Sequence, residues 1–592
     1  MPELSNAAIA DALEELGDLY ELDGAIVHRV LAYRNAAKAV RESSVSVAAL
    51  ARAGRATELA GIGATLQQKI LTLLDTGTTP STERMRAQFP PGLIAITRLP
   101  GLGPKRARLL FAELGIDSPE KLREAALTQR LRTVKGLGAK FEKSVLAGLD
   151  RIAAEPPERA RGRLLLPKAL ELGETLAAGL LELGGAGTHV QVAGSARRMA
   201  DSVKDIDLVA VTSKPATLAK SLARLAEIEH VSSAGKPGAR ARTHAGISVD
   251  LRIAKPAQLG NLLQHFTGSG PHNAALRETM VRRGMHVSEY GVRDDASGSS
   301  QTCESEQELY ELLGLVYVEP ELREDRGELA AALADFGAAT RGAGERALPR
   351  LIEQRDIRGD LHSHTTASDG KNSIEEMGIA ARERGYEYLA ITDHSASHGF
   401  GNEVSPERLR RQIELVHEAS ARLPGIELLA GSEVNILPDG SLDYSDELLG
   451  ELDWVIASVH TSFGISSQAM TERMIAAIEH PLVDAIGHPT GRLIGRREPY
   501  AIDLPAVFAA AARTGTMLEI NANPDRRDLS DVHARGAARA GVRLLIDSDA
   551  HRTATLANMR WGIATARRAW LGAADVANTR PWAELQGLRK RG

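Results

Sequence analysis

The stretch Val192-Ala-Gly-Ser-Ala-Arg-Arg198, followed by Asp205-Ile-Asp207-Leu-Val, decides how the first half of the chain is interpreted. Two acidic residues at positions i and i+2 of a strand point to the same face of a sheet. The Gly194-Ser195 turn before them offers backbone N–H groups and a hydroxyl to a triphosphate, and Arg198 adds positive charge. An Asp-x-Asp pair alone is more often a solvated strand edge, so the preceding turn carries the functional interpretation.

A third acidic residue, Asp250, lies in the strand-like run Ser248-Val-Asp-Leu-Arg-Ile253. A charged side chain in such a run indicates a function, because charged residues are rarely buried without a partner. Three converging carboxylates can hold two Mg²⁺ or Mn²⁺ ions, which prefer oxygen ligands. Such ions stabilise the attacking and leaving oxygens of an in-line phosphoryl transfer. We therefore predict that Asp205, Asp207 and Asp250 are catalytic metal ligands. Asp250 is also placed to help deprotonate an attacking 3′-hydroxyl.

Gly-x-Gly turns between helix-like segments recur in the N-terminal part of the chain. They are Gly61-Ile-Gly63, Gly101-Leu-Gly103 and Gly136-Leu-Gly138, and Lys105 and Lys140 follow the second and third. Such a turn points successive backbone N–H groups outward and forms an anion-binding nest that fits a DNA phosphate. One copy would be read as a helix-capping glycine, whereas three copies predict helix-hairpin-helix elements that bind DNA without reading its sequence.

The charge distribution agrees with a DNA partner for this region. Residues 81–150 carry 13 Lys and Arg against 7 Asp and Glu, although the whole chain has a formal net charge of −5. A local basic excess is what a phosphate-backbone contact needs. A solvated helical surface would give the same count, so charge alone leaves both interpretations open.

The second half of the chain carries a set of potential metal ligands. Ten of the 17 histidines lie after residue 350. Apolar strand-like runs alternate there with helical segments, which predicts a parallel α/β barrel whose active site opens at the strand ends. Most of the following residues come directly after such a run: His362, His364, Asp369, His394, Glu433, His460, His488, Asp549 and His551.

Six imidazoles and three carboxylates without cysteine suit zinc, manganese or iron, and they are enough for two or three ions. Bridged ions acidify a water molecule for phosphoester hydrolysis. Four further histidines fall outside the pattern and are interpreted as structural: His398, His417, His480 and His533. Arg492 and Arg526 lie near strand ends, where they either grip substrate phosphates or serve at the surface.

Composition excludes several classes of protein. The hydrophobic fraction is 43% and the charged fraction 25%, as in globular proteins, and 592 residues suggest about four folding units. We see no apolar run long enough for a bilayer and no basic segment typical of a signal peptide. The single cysteine, Cys303, excludes an intramolecular disulfide and a thiolate cluster. A cytoplasmic protein is expected.

These motifs resemble the nucleotidyltransferase superfamily, and specifically family X DNA polymerases of the DNA polymerase beta type, over about residues 1–325. His265-Phe-Thr-Gly-Ser269, with Asn273 and Arg277 beyond it, is similar to the family's Tyr-Phe-Thr-Gly-Ser segment. Leu313-Gly-Leu-Val-Tyr317 and Pro320–Arg326 resemble the end of its thumb. The resemblance implies that Arg277 contacts the template strand. It also implies that the incoming nucleotide is bound by Gly194, Ser195, Arg198, Phe266, Gly268 and Asn273.

The N-terminal helices resemble the small lyase domain of that family. Lys69, in Leu66-Gln-Gln-Lys69-Ile, falls where a lysine forms a Schiff base with an abasic deoxyribose. A 5′-deoxyribose-phosphate lyase activity is thereby implied, and a surface lysine is the alternative. The sequence departs from the family at His265 (usually tyrosine), Lys204 (often glycine) and Ser248 (arginine in some members). These departures leave the three acidic residues intact.

The C-terminal half resembles the polymerase and histidinol phosphatase (PHP) domain, whose trinuclear site the nine residues match one by one. A beta-type polymerase followed by a PHP domain is the order found in bacterial family X polymerases. The resemblance implies a multidomain α/β fold with helix-hairpin-helix domains, a nucleotidyltransferase α+β palm, a thumb and a distorted (β/α)7 PHP barrel. The expected boundaries are 1–85 (lyase-like), 86–150 (fingers), 151–255 (palm), 256–325 (thumb), 326–354 (linker) and 355–592 (PHP).

The expected function is gap filling in base excision repair by a DNA polymerase, with a PHP 3′–5′ exonuclease or 3′-end processing activity. Expected ions are Mg²⁺ or Mn²⁺ in the palm and two to three Mn²⁺ or Zn²⁺ in the barrel. Expected partners are gapped or nicked DNA and dNTPs, without a membrane, for a monomer associated with the nucleoid. The main alternative is a PHP nuclease or phosphatase whose polymerase half mainly positions DNA. A scaffold without activity would have lost ligands, and a small-molecule phosphatase leaves the hairpins unexplained.

Overall fold

The computed structural model describes residues 4–97, 99, 102–154, 163–341, 346–397, 399 and 402–590. Gly101 and His398, for which the sequence made predictions, lie outside the described residues. The N-terminal region is helical: α1 (Asn6–Asp23), α2 (Val27–Glu42), α3 (Val47–Arg52), α4 (Ala64–Thr76), α5 (Pro80–Gln88), α6 (Pro91–Thr97), α7 (Pro104–Leu114), α8 (Pro119–Leu127) and α9 (Ala139–Ala154). Buried apolar side chains from Ile9 to Leu149 form one continuous core.

A mixed α/β unit follows. Its elements are β1 (Leu164–Leu165), α10 (Leu166–Gly184), β2 (His189–Val192), α11 (Gly194–Arg197), β3 (Ser202–Val203), β4 (Asp205–Val211), α12 (Pro215–Ser221), β5 (Ile228–Gly235), β6 (Gly238–Thr243) and β7 (Ser248–Ala254). The main sheet has the order β2-β4-β7-β6-β5, in which β4 and β7 run parallel. The strand-like runs that contain Asp205 and Asp250 are therefore neighbours. The β5–β6 hairpin was not predicted.

The next unit packs helices against a small antiparallel sheet. It contains α13 (Leu259–Thr267), α14 (Gly270–Val281), β8 (Met285–Ser288), β9 (Gly291–Asp294), β10 (Ser300–Gln301), α15 (Glu306–Leu312) and α16 (Glu328–Arg341). The sequence left residues 328–350 open as a helix or a linker. The structure forms a helix over Glu328–Arg341, and its Leu329 packs in the same core as Leu309 and Leu351.

The C-terminal unit is a barrel of parallel strands joined in chain order. Its strands are β11 (Gly359–Asp360), β12 (Tyr388–Ile391), β13 (Glu427–Asn435), β14 (Trp454–Ser458), β15 (Ala485–Ile486), β16 (Met517–Asn521) and β17 (Leu544–Asp547). The helices are α17 (Ile374–Glu383), α18 (Pro406–Arg422), α19 (Asp446–Gly450), α20 (Ser467–Glu479), α21 (Leu504–Thr514), α22 (Asp531–Arg539), α23 (Met559–Arg568) and α24 (Trp582–Gln586). Just beyond β11 and β17, the His364 N–H donates to the Ala550 carbonyl at 2.8 Å, which nearly closes the barrel.

This architecture confirms the predicted fold class, from the helical N-terminus to the seven-stranded parallel barrel. The barrel strands are largely apolar, and apart from Glu427 at the start of β13 their residues are buried, as expected for parallel strands covered on both faces. Within the described residues, the helices are too short or too polar to cross a bilayer.

Candidate active sites

The acidic cluster of the palm forms on adjacent parallel strands. Asp207 on β4 lies directly opposite Asp250 on β7, and Asp205 lies two residues before Asp207 on the same face. Ile206 and Leu208 alternate with these acids and point into the core. Burial, together with the nearby carboxylates of Asp205 and Asp250, raises the pKa of Asp207 to about 7. Converging carboxylates that disfavour one another's charge in this way suit a divalent cation.

Asp250 has a cationic neighbour on its own strand. Arg252 Nη2 donates to Asp250 Oδ2 at 2.9 Å, and Arg252 Nε lies 2.8 Å from Oδ1, so the two side chains form a close ion pair. The same guanidinium stands over the ring of Phe266, 5.3 Å from its centroid. Arg252 therefore connects an acidic residue of the palm with an aromatic residue of α13.

The predicted nucleotide-binding turn presses against the acidic cluster. Gly194 has a φ of +63°, and a Cβ there would stand 1.9 Å from Asp207 Oδ2. The Ala193 N–H donates to the Asp207 carbonyl at 2.8 Å. Only glycine combines this backbone conformation with such a close approach. Ser195 follows on the same turn and is half-buried.

Arg198 ends this turn and is held by the thumb. Its Nε donates to Glu324 Oε1 at 2.9 Å, and its Nη1 donates to the Thr267 carbonyl at 2.8 Å. Glu324 thus balances its charge. The structure brings Arg198 close to Asp207, where its positive charge opposes the rise in the pKa of that carboxyl.

The remaining residues predicted to contact the nucleotide, Phe266, Gly268 and Asn273, lie close together in the thumb where α13 and α14 join. The Asn273 amide donates to the His265 carbonyl at 2.6 Å, and its Oδ1 accepts from Gln264 Nε2 at 3.0 Å. A Cβ on Gly268 would stand 2.5 Å from Asn273 Oδ1, so these two residues are in direct contact. Arg277, one turn further along α14, is exposed. In this structure the Asn273 side chain is engaged inside the thumb.

Two of the three departures from the family, Lys204 and Ser248, lie at the strand ends beside the acidic cluster and are exposed. His265 is half-buried beside Phe266, with ring centroids 5.2 Å apart, and burial lowers its pKa.

The Gly-x-Gly turns share one geometry where the structure describes them. Gly61 and Gly136 have φ values of +86° and +89°, in the left-handed region that favours glycine. The middle residues Ile62, Leu102 and Leu137 are buried and anchor each turn. The second glycines, Gly63, Gly103 and Gly138, are exposed at the starts of α4, α7 and α9, with open space where a Cβ would stand. Lys105 and Lys140 are exposed nearby.

Lys69 lies on α4, and its side chain is surrounded by polar and aromatic side chains. Its Nζ donates to Ser81 Oγ at 3.0 Å and stands 5.8 Å from the centre of the Tyr33 ring. The Tyr33 ring packs against Tyr20, with centroids 5.3 Å apart. Lys69 is thus a half-buried lysine with defined partners and not a freely extended surface side chain.

The barrel brings all nine predicted ligands to one end of its strands. Glu433 is central: its Oε1 lies 2.9 Å from His488 Nε2 and 3.2 Å from His460 Nε2, and its Oε2 lies 2.8 Å from His394 Nδ1. Potential ligand atoms come within 4.8 Å of one another in three groups. These are His364, Asp369, His394 and His551; His362, His364 and Asp549; and His394, Glu433 and His460.

The chemistry of this donor set fits metal ions. The buried atoms His362 Nε2, His364 Nε2 and Glu433 Oε2 lie near polar groups of the cluster but form no well-directed hydrogen bond, although buried polar atoms nearly always do. Burial would raise the pKa of Glu433, but the surrounding histidines lower it well below its usual range. Burial would likewise lower the pKa of His551, but Asp369 and Asp549 outweigh it and raise it to about 9. In the protein alone, protons on histidine balance the carboxylates that metal ions would otherwise neutralise.

The sequence missed a carboxylate that supports this cluster. Glu519 on β16 is fully buried, and its Oε1 lies 2.7 Å from His362 Nδ1. Its Oε2 accepts the His488 backbone N–H. A carboxylate behind a histidine fixes the ring orientation and leaves the other nitrogen for a metal. A charged residue inside the apolar run Met517–Asn521 was the available signal.

The structure places the arginines and the further histidines of the barrel relative to the metal-ligand cluster. Arg526 is at the cluster, with its Nε 3.9 Å from Asp549 Oδ2, whereas Arg492 points away and pairs with Asp201 of the palm at 2.8 Å. His417 and His480 pair with Asp453 and Asp446 at 2.9 Å and 3.2 Å, outside the cluster. His533 on α22 is also absent from the ligand groups.

The fold and the two sites together define a class of protein. Its members join a nucleotidyltransferase palm and thumb to a barrel that carries a histidine-rich cluster of potential metal ligands. Family models match the chain as a helix-hairpin-helix domain (residues 4–79), a SAM-like helix-hairpin-helix tandem (93–151), a DNA polymerase beta thumb (262–324) and a PHP domain (360–523). Each match agrees with the fold described above.

Curated relatives extend this result. The DNA polymerase/3′-5′ exonuclease PolX of Bacillus subtilis (strain 168) is 36% identical over 584 residues, which cover 98% of both chains. The chain belongs to the bacterial family X DNA polymerases that carry a C-terminal PHP domain. Proteins named "probable phosphatase" from Shewanella sediminis and Caldanaerobacter subterraneus are each 33% identical, over 39% and 32% of this chain and 94% and 75% of their own length.

Proposed function

We propose that this protein is a DNA-directed DNA polymerase that fills short gaps during repair and carries a separate 3′–5′ exonuclease centre in its barrel. The observation that carries the proposal is the presence of two distinct clusters of metal-ligand type. One is the carboxylate group on β4 and β7, and the other surrounds Glu433 in the barrel. The relative from B. subtilis, which matches along its whole length, is named for the same two activities.

In the palm, Asp205, Asp207 and Asp250 would hold Mg²⁺ or Mn²⁺. Such ions supply charge stabilisation at the transferring phosphate and at the attacking oxygen. Asp250 accepts the proton of the primer 3′-hydroxyl, directly or through a water molecule. The Gly194-Ser195 turn offers its N–H groups and hydroxyl to the nucleotide triphosphate. Arg198, Phe266, Gly268 and Asn273 complete the nucleotide site.

The N-terminal hairpins would bind the DNA around the gap. Exposed backbone at Gly63, Gly103 and Gly138 leaves room for a phosphate to approach the N–H groups of the following helices. Lys105 and Lys140 add positive charge next to these turns. Because such contacts ignore base sequence, gapped or nicked DNA of any sequence is the expected partner, with Arg277 on the template strand.

In the barrel, the nine residues around Glu433 would hold two to three Mn²⁺ or Zn²⁺ ions. Such ions supply a nucleophile from water at neutral pH. Glu519 orients His362, and Arg526, 20% exposed at its side chain, is placed to bind a phosphate oxygen of the DNA 3′-terminus. The product is a shortened strand and a released nucleotide.

Lys69 carries a third proposed activity. Its Nζ would attack C1′ of the ring-opened abasic deoxyribose and form a Schiff base with loss of water. Loss of the C2′ proton would then break the C3′–O bond to the downstream DNA, and hydrolysis of the Schiff base would free the sugar phosphate and the lysine. The support for this role is its defined position between Ser81 and the Tyr33 ring.

The proposed division of labour follows the boundaries expected from the sequence. Residues 1–85 and 86–150 hold DNA, 151–255 and 256–325 form the polymerase centre, 326–354 connect, and 355–592 form the nuclease. We further propose a monomer that acts in the cytoplasm on the DNA of the nucleoid.

A labelled primer in a one-nucleotide gapped duplex tests this function. The full chain is incubated with Mg²⁺ or Mn²⁺, with and without dNTPs. The expected result is extension by one nucleotide with dNTPs and shortening without them. Shortening in the absence of any extension would overturn the polymerase proposal and favour a PHP nuclease whose polymerase half positions DNA.

A further inference from the structure

The barrel contacts a short loop of the palm that leads into β4, the strand that carries Asp205 and Asp207. Arg492 Nη2 lies 2.8 Å from Asp201 Oδ2, and Arg527 Nη1 lies 3.2 Å from Asp201 Oδ1. Arg527 Nη1 also donates to the Met199 carbonyl at 3.0 Å. The barrel therefore supplies both of these ion-pair partners of the palm carboxylate Asp201.

A third arginine of the barrel contacts the same loop. Arg568 Nη1 donates to the Arg198 carbonyl at 2.7 Å and to Glu324 Oε1 at 2.9 Å. Glu324 Oε1 also accepts from Arg198 Nε, so one carboxylate joins the nucleotide-binding turn and the barrel. The consecutive carbonyls of Arg198 and Met199 are thus both occupied by barrel guanidinium groups.

This loop is bounded on both sides by the polymerase centre. The Gly194 turn, which abuts the Asp207 carboxylate, ends at Arg198. The segment 198–204, called the loop here, then runs through the short strand β3 (Ser202–Val203) to Lys204, directly before Asp205. Met199 has a φ of +56°, an uncommon conformation for a residue with a side chain. Such a conformation persists when the surroundings hold it in place. Here the Met199 N–H donates to the Ala196 carbonyl of the palm, and the Met199 carbonyl accepts from Arg527 of the barrel.

The interdomain contact is buried and charged. Arg527 is fully buried, and the Arg568 side chain is only 8% exposed. A buried charge that loses its partner is strongly destabilised, so this contact favours one arrangement of the loop over others.

The segment that reaches the loop also borders the nuclease centre. Arg526 lies beside Asp549, and Asp528 accepts hydrogen bonds from the N–H and hydroxyl of Thr490, two residues after His488. Arg527 stands between these two residues and points to the palm. Residues 526–528 thus lie between the nuclease cluster and the palm loop that contains Met199 and Asp201.

We propose that Asp201 is a positioning residue for nucleotidyl transfer, held in place by Arg492 and Arg527 of the barrel. It acts through the loop 198–204, which sets the placement of Arg198, Asp205 and Asp207. The polymerase centre therefore depends on the docked barrel, independently of whether the nuclease is active. This inference rests on the proposed polymerase function and names the residues through which the barrel supports it.

The same interface supplies a matched control. Arg567 Nε pairs with Glu321 of the thumb at 2.7 Å, and the Arg567 side chain is 20% exposed; this ion pair lies outside the loop 198–204. If the interface only holds two domains together, Arg567→Gln and Arg492→Gln should act alike.

The test is single-nucleotide gap filling by the full chain over a Mg²⁺ titration. For Asp201→Asn and Arg492→Gln we expect at least a tenfold loss in kcat/KM for the dNTP and a higher Mg²⁺ concentration at half-maximal extension. The double variant should be no worse than the more impaired single variant, because both substitutions remove the ion pair between Arg492 and Asp201. Arg567→Gln should extend within twofold of the wild type, and Asp201→Glu should recover part of the loss.

The controls separate the possible failures. Exonuclease activity of Asp201→Asn within twofold of the wild type shows that the chain is folded. Extension by Asp201→Asn at the wild-type rate, or an equal loss in Arg567→Gln, overturns the inference. Loss of both activities in Asp201→Asn and Asp201→Glu alike means that the contact serves only the fold, which also overturns it. A wild-type chain that never extends the primer instead refutes the proposed function.

Discussion

Gly194 lies so close to Asp207 that a Cβ on the glycine would stand 1.9 Å from the carboxylate Oδ2. The backbone there has a φ of +63°, which adds strain for any other residue. The turn proposed to bind the nucleotide and the strand proposed to bind metal are therefore in direct contact.

Gly194→Ala should abolish primer extension, because the new methyl group displaces Asp207 or the turn. We expect at least a hundredfold fall in the extension rate with unchanged exonuclease activity, measured on the same gapped duplex. Gly187→Ala is the matched control, since Gly187 has a φ of +76° but open space around it. Normal extension by Gly194→Ala would contradict the proposed role of this turn.

Glu519→Gln should weaken the barrel centre without removing a ligand. The carboxylate orients His362 through a 2.7 Å contact, and loss of such support typically lowers metal affinity about 10- to 100-fold. The Mn²⁺ concentration at half-maximal exonuclease activity should rise accordingly, while extension is unaffected. Glu427→Gln is the control and should leave both activities unchanged, because Glu427 is exposed at the start of β13, at the end of the strand away from Glu433. An unaltered Mn²⁺ titration would remove Glu519 from the site.

Metal removal should lower the thermal stability of the barrel. A ligand that binds only the folded state at about 1,000 times its Kd stabilises it by about 4 kcal/mol. Chelator-treated protein should therefore unfold at a lower temperature and recover several degrees on addition of Mn²⁺ or Zn²⁺. The recovery should be smaller in His460→Ala and unchanged in His417→Ala, whose imidazole pairs with Asp453 outside the cluster. Equal recovery in both variants would argue against the site.

The hairpin lysines should control the salt dependence of DNA binding. Each phosphate contact contributes a slope of about −0.9 to log K against log [salt]. Replacing both Lys105 and Lys140 by alanine should weaken binding to every DNA sequence and reduce the slope by about 2. Lys121→Ala is the control, because Lys121 on α8 pairs at 2.7 Å with Asp117, two residues before that helix. An unchanged slope in the double variant would exclude these two contacts.

The sequence predicted the metal ligands well for a physical reason. Asp250 and Glu433 are charged residues in apolar strand-like runs, and such residues are rarely buried without a purpose. Parallel strands then bring their ends to one edge of a sheet or barrel, so residues far apart in sequence meet. Glu519, inside β16, obeys the same rule, so its signal was present in the sequence although the prediction did not include it.

Other features leave no such signal. The β5–β6 hairpin has a largely exposed β5, so period-2 apolar alternation is weak there. Asp201 lies in a loop, and its barrel partners Arg492 and Arg527 are distant in sequence; Met199 and Arg527 are 328 positions apart. The internal hydrogen bonds of Asn273 depend on how α13 and α14 meet, which motif resemblance does not specify.

The central claim is that one chain carries two separate centres, and a pair of alanine variants tests it most directly. A labelled primer in a one-nucleotide gap is followed with wild type, Asp250→Ala and His460→Ala, with and without dNTPs. Glu229→Gln, an exposed carboxylate on β5 of the same sheet as Asp250, controls for charge loss. We expect Asp250→Ala to lose extension but keep shortening, and His460→Ala to show the reverse. If either variant loses both activities, or if neither loses any, the two-centre account is wrong.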